Sequence, residues 1–321
     1  MKTRAPKEDT VSWLERKLKG LILKEEDAIN ISEQERNTFS KINPWAMLKL
    51  VSLRYIGTVY RNIISDRVAN RQFKAMYYID FFSGSGISTI KGSRALCYSS
   101  PMVMNLQQKD EKVTKMFFND RNKRYTEVLE SWLVNTKKTD YIITNKDANK
   151  RAEEIISELD EDGHSFIFVD PYSTDFSWKS METILTLNAD IFFLYQTKHI
   201  PRTIPRASNP KGKPMRFFKD FNLVKAIYEN PLRNKMSIIF DLYQKDIRDV
   251  RGAETTLMEN IKISGGGYNM LFITKQTEGG SPWFKKAVLP LKNTIESIDN
   301  KTVEKTLKVL LKEQSKISDF V

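Results

Sequence analysis

Four aspartates and one glycine-rich turn are the residues here from which chemistry could be built. The stretch YYIDFFSGSG, Tyr77 to Gly86, sets an apolar run and Asp80 directly before a turn that contains Gly84 and Gly86. A turn with so little side chain lets a ligand approach the backbone, whose amides are then free to donate hydrogen bonds. It is not a phosphate loop, because the lysine followed by serine or threonine is missing, and it lacks the third glycine of the dinucleotide fingerprint. Asp120 closes KMFFND, Asp147 closes TNKD and Asp170 closes FVD, each just past an apolar run. From such a place Asp120 is expected to accept hydrogen bonds from ribose hydroxyls, and Asp147 from an adenine amino group. Taken singly, each acid also has the form of a helix cap. Four at matching places point to one shared nucleoside site.

That site needs a scaffold. Runs at 77–82, 115–120, 141–146, 166–170 and 190–195 are apolar on both faces, as strands buried in a mostly parallel sheet must be. Helical patterns near 101–108, 121–136, 148–160 and 178–187 alternate with them, and Ser99 and Ser100 before Pro101 read as a serine cap with proline at the first helical position. Right-handed crossovers would wind these units into a Rossmann-like layer. In an open sheet of that kind the ligand crevice lies at the carboxyl ends of the strands, so the four aspartates should meet at one rim. TTLMENIKI and YNMLFITKQ, joined through Ser264-Gly265-Gly266-Gly267, read as an antiparallel hairpin completing the sheet. The expected organisation is an α/β fold: a helical amino-terminal extension over 1–74, a Rossmann-like domain over 75–295 and a carboxyl-terminal helix over 296–321.

Composition narrows the function classes. The 321 residues carry 52 lysines and arginines against 40 acids, a net charge of +12, which favours polyanionic partners through counterion release. With one cysteine and two histidines, neither a disulfide framework nor a Cys/His zinc site can form within one chain, and no metal site is expected. No signal peptide and no run long enough to span a bilayer is found, so a reducing cytoplasm is the expected location. The cations cluster in residues 196–220: Lys198, Arg202, Arg206, Lys211, Lys213, Arg216 and Lys219 precede the first acid, Asp220. Pro201, Pro205, Pro210 and Pro214 are expected to hold this stretch as an extended loop that grips phosphates of a nucleic acid, DNA or RNA.

The D-x-F-x-G-x-G turn resembles that of S-adenosyl-L-methionine-dependent methyltransferases, in which the methionine end of the cofactor lies against the turn. The likeness implies that Asp80, Phe82, Gly84, Ser85, Gly86, Asp120, Asp147 and Ala148 hold S-adenosyl-L-methionine. Asp170-Pro171-Tyr172 is similar to the D-P-P-Y loop of methyltransferases acting on exocyclic amino groups, with one proline fewer and the aromatic one residue early. That likeness implies a target amine oriented by Asp170, Pro171 and Tyr172, with Phe176 and Trp178 as further rings for stacking. YIDFFSGSG, Ser100-Pro101, FFND, Asp147-Ala148-Asn149 and FVDPYS followed by Trp178 together resemble the three-Cys-motif partner (TcmP) proteins over roughly residues 45–200. This resemblance implies a class I methyltransferase fold and a separately encoded cysteine-motif partner. Ser85 stands where that family has proline, and Ser173 where it has glycine. The leading expectation is a methyltransferase of nucleic acid; the rivals are a non-catalytic nucleic-acid or partner-binding module on the same fold, and a metal-dependent nuclease.

Overall fold

The computed structural model describes residues 9–24, 27–28, 31, 36–93, 95–106, 113–136, 139–206 and 212–318. Apolar runs form a seven-stranded sheet: β2 (Met76–Asp80), β5 (Lys115–Asn119), β6 (Tyr141–Thr144), β7 (His164–Val169), β8 (Ala189–Tyr195), β9 (Thr256–Lys262) and β10 (Asn269–Lys275). Their order is β6-β5-β2-β7-β8-β10-β9. The first five are parallel to one another, and β10 runs antiparallel to both β8 and β9. In chain order this is 3-2-1-4-5-7-6 with the seventh strand reversed, the Rossmann-like sheet of a class I methyltransferase. The chain leaves β2 toward one edge and returns to its other side at β7, so the switch point, where such sheets open a crevice, lies between β2 and β7.

Alternate side chains feed two cores. Met76 and Tyr78 of β2 enter one with helix Met47–Ala69, while Tyr77 and Ile79 enter the other with helices Trp178–Thr186 and Lys235–Arg251. Both faces are covered, which is why these strands read as unbroken apolar runs.

A second, three-stranded sheet was not legible in the sequence. It joins β1 (Ser40–Ile42) to β3 (Ile87–Ile90) in parallel and β3 to β4 (Leu96–Tyr98) in antiparallel. At three or four residues these strands are too short to show a period. They bring the amino-terminal segment against the glycine turn. The basic stretch also departs from an extended loop. Ile200–Thr203 and Lys213–Phe217 are short helices and Ile204–Arg206 a 3-10 turn. Pro201 and Pro214 sit in the first turns of the two helices, where a fixed φ and a missing N–H suit helix initiation rather than extension. Among the described residues no helix is long and apolar enough to cross a membrane.

The glycine turn itself depends on backbone freedom. Gly84 and Gly86 have φ of +62° and +79°. A Cβ on Gly86 would lie 2.9 Å from Leu129 Cδ1 and 3.1 Å from Met102 Cγ. Gly86→Ala therefore combines a disfavoured φ with overpacking, and is expected to lower stability by about 2–4 kcal/mol in urea unfolding.

Candidate functional site

At the switch point a cavity of about 440 Å³ opens between the carboxyl ends of the strands, within the usual size of a small-molecule site, about 300–1,000 Å³. Phe82, Gly84, Asp120, Asp147, Ala148, Asp170 and Tyr172 line it, so seven of the eleven cofactor and acceptor residues expected from sequence meet in one place. Asp80, Ser85, Gly86 and Pro171 are not in its wall. Among the described residues, Lys213 is the cation of the basic stretch that lines the cavity, where its Nζ donates to Asp175 Oδ1 at 2.8 Å. Lys198 instead donates to the Gly265 carbonyl beside the hairpin, while Arg202 and Arg216 are exposed. Arg206 ends the 3-10 turn, and Lys211 lies outside the described residues.

The turn is held from below and from the side. Asp80 is fully buried, and its Oδ1 accepts from the Phe82 amide at 3.1 Å while the Tyr78 hydroxyl donates to Oδ2 at 3.2 Å. Burial pushes the Asp80 carboxyl up to about 7, against the pull of hydrogen bonds from Ser100 and Phe82. Ser85, where the related pattern has proline, fixes the turn by donating to the Ile87 carbonyl at 2.8 Å. Asp120 Oδ2 accepts from the Gly84 amide at 3.0 Å and Oδ1 from the Asn122 amide at 2.8 Å, and burial raises its pKa. A Cβ added to Gly84 would meet nothing within 4 Å, so its backbone faces open space. The hydroxyls of Ser83 and Ser99, both in the cavity wall, are buried without a partner. Ser99 thus occupies the cap position of helix Ser100–Asn105 without making the capping bond its sequence suggested. Buried unpaired hydroxyls beside an open glycine backbone suit a polar ligand that supplies the missing partners.

Asp147 is both a cap and a wall. It accepts from the Asn149 amide at 2.9 Å at the start of helix Ala148–Glu154 and still borders the cavity. Of the three aromatic rings considered for stacking, Phe176 and Trp178 are core residues, packed on Phe81 and on Tyr243 respectively. Tyr172 is 72% exposed and its ring lies 5.4 Å from that of His199.

Asp170 has a partner that no local pattern announced. Lys49, on helix Met47–Ala69, places Nζ 2.5 Å from Asp170 Oδ2, and Gln196 Nε2 lies 3.5 Å from Oδ1. In sequence Lys49 is one cation between Leu48 and Leu50, 121 residues from the acid it meets. Asn119 was missed for the same reason. Its amide donates to the Phe81 and Lys146 carbonyls, and its Oδ1 accepts from Thr144 Oγ1 and the Lys146 amide, which ties the ends of β2, β5 and β6 together.

No protein-family model matches the sequence, and no curated protein does. Among solved structures the chain is similar to Trm1 from Pyrococcus horikoshii in complex with S-adenosyl-L-methionine, at 13% identity and a TM-score of 0.43 over 83% of this chain and 62% of that one. The chain thus spans less than two thirds of that protein. It is also similar to protein LPL1258 from Legionella pneumophila, at 8% identity and a TM-score of 0.47 over 76% and 91% of the two chains. The methyltransferase domain of the bacterial protein CtHen1 aligns at 10% identity and a TM-score of 0.33 over 68% and 97%. The class is read from the strand order above: a Rossmann-like, class I methyltransferase fold.

Two outcomes follow from the site's local chemistry. Ser173 holds the left-handed conformation, φ +56°, with its hydroxyl buried and unpaired, where the related pattern has glycine. Ser173→Gly is expected to raise stability by about 1 kcal/mol in urea unfolding, since it relieves both penalties. Burial pushes Asp80 up to about 7 in the native state, against the ordinary carboxylate value of 3.8 in the unfolded chain. Between those values the native state keeps a proton that the unfolded chain has lost, so Asp80 makes stability fall as pH rises from about 4 to about 7. Asp80→Asn is expected to flatten that slope in urea titrations at pH 5 and pH 8. Asp190, pushed up to about 6 by burial, keeps a remainder of the same sign.

Proposed function

We propose that the chain is an S-adenosyl-L-methionine-dependent methyltransferase acting on nucleic acid. The observation that carries this reading is the meeting, in one cavity at the switch point, of an open glycine backbone, Asp120, Asp147 and Ala148 with Asp170 and the exposed Tyr172. The cofactor would bring a methyl group already activated on a cationic sulfur, which leaves the chain the work of positioning. Ser83, Gly84 and Ser99 would meet its amino-acid end, Asp120 its ribose, and Asp147 with Ala148 its adenine. Asp80, Phe82, Ser85 and Gly86 would act through the shape of the turn.

Tyr172 would stack on a base, as exposed rings do in single-strand sites. Lys198, Arg202, Arg206, Lys211, Lys213 and Arg216 would grip the phosphate backbone, which the net charge of +12 supports. Asp170 would border the acceptor, with Pro171 acting through the shape of the turn. An exocyclic amine would need a free Asp170 oxygen, and Lys49 now holds one of the two. The sequence resemblance supports a separately encoded three-Cys-motif protein as a partner, and the cysteine usage a cytoplasmic setting.

Calorimetric titration with S-adenosyl-L-methionine tests the reading directly. Micromolar binding is expected, weakened about tenfold or more in Asp120→Ala, whose loss removes charge-assisted bonds to the ribose. No heat and no thermal shift at millimolar cofactor would remove the enzyme reading and leave the binding module.

A further inference from the structure

The pair formed by Lys49 and Asp170 constrains what kind of atom can be methylated. Lys49 Nζ and Asp170 Oδ2 lie 2.5 Å apart, with both side chains retaining a little exposure, 15% and 21%, toward the cavity they both line. Gln196 sits against the other Asp170 oxygen at 3.5 Å. The cavity wall therefore presents an ammonium donor and a carboxylate acceptor side by side.

The exocyclic amine of a base has two N–H donors and no lone pair to spare for a donor, because the one it has must face the methyl group. Lys49 would have nothing on the amine to donate to. As an amine is alkylated its nitrogen also gains positive charge, which a neighbouring ammonium opposes. A hydroxyl has one donor and two acceptor positions. It can donate to Asp170 and accept from Lys49 at once. As its proton leaves, negative charge develops on oxygen, and a preorganised ammonium stabilises that charge. Within nucleic acids the hydroxyl carried by every internal nucleotide is the ribose 2′-OH, the group that separates RNA from DNA.

We infer that Lys49 and Asp170 together form the acceptor site for a ribose 2′-hydroxyl, so that the nucleic acid methylated is RNA and the new bond is oxygen to carbon. This rests on the reading of the cavity as a methyl-transfer site. In the step, the oxygen–methyl bond forms as the sulfur–methyl bond breaks, and the electron pair of the broken bond stays on sulfur. The hydroxyl proton passes to the Asp170 carboxylate and from there to solvent. Lys49 keeps its protons and supplies charge. Tyr172, two residues after Asp170 and 72% exposed, offers the same nucleotide's base a ring to stack on.

Two readouts test this in the full chain. Without cofactor, a random-sequence RNA ten-mer is expected to bind about tenfold tighter than DNA of the same sequence, followed by fluorescence anisotropy. Lys49→Met is expected to erase that difference, and Lys49→Arg to keep part of it, which separates a lost contact from a damaged fold. With tritiated S-adenosyl-L-methionine and unfractionated cellular RNA, label is expected in alkali-resistant dinucleotides, the mark of a 2′-O-methyl group. Lys49→Met is expected to lower it about 100-fold or more while cofactor affinity stays within about twofold. Equal binding of RNA and DNA, label on a base or in DNA, full activity of Lys49→Met, or cofactor binding with no label in RNA would each overturn the inference while leaving the cofactor site standing. Absence of cofactor binding to the unaltered chain would overturn the parent reading, and the inference with it.

Discussion

Five parallel strands end at one edge of the sheet, and the backbone groups exposed there must be paired without closing the crevice. Asn119 meets much of this demand. One side chain, buried at the end of β5, makes four hydrogen bonds to the ends of β2 and β6, and so holds three strand tips level. Asp120, the next residue, accepts the Gly84 amide and fixes the turn against the same edge. Breaking a network of this kind leaves several buried polar groups unpaired at once, which costs more than the loss of any single bond. The spacing of the cavity's acids is a consequence of these ties.

The acids so placed are in different electrical circumstances. Asp80 is sealed beneath the turn, and desolvation raises its pKa to about 7, so part of the population is neutral there at physiological pH. Asp170, at the mouth, is ion-paired to Lys49. Environment thus separates two carboxyls that look alike in sequence, one serving the shape of the turn and the other facing whatever enters. The partner of the second comes from the amino-terminal segment, which also contributes Ser40 and Ile42 of β1 to the cavity wall. That segment is therefore part of the site as well as a covering for one face of the sheet.

Among the described residues the basic stretch meets the cavity wall through the ion pair of Lys213 with Asp175, the Gln196 amide against Asp170 and the His199 ring against Tyr172. Asp175 follows the Asp170-Pro171-Tyr172 turn, so the stretch and this side of the cavity are mechanically joined. Half of the Lys213 side chain remains exposed, and a contact of that kind contributes little stability.

How much of this was written in the sequence differs by element. The buried strands of a parallel layer, the closing hairpin and the meeting of Asp120, Asp147 and Asp170 at strand ends were legible, because strands buried on both faces must be apolar throughout and crossovers have one hand. The glycine turn was legible from Gly84 and Gly86, whose positive φ few other residues adopt. Local pattern misread three features. Ser99 looks like a helix cap but leaves its hydroxyl unpaired at the cavity, Pro201 and Pro214 start helical turns within a stretch that reads as extended, and Phe176 and Trp178 are core residues. Composition, spacing and period determine which residues are buried in strands and where the chain must turn, since these are properties of a residue and its near neighbours. Tertiary structure alone decided that Lys49 faces Asp170, that Asn119 ties three strands and that β1 walls the cavity, because such pairs are separated by tens of residues along the chain and meet only when the sheet has formed.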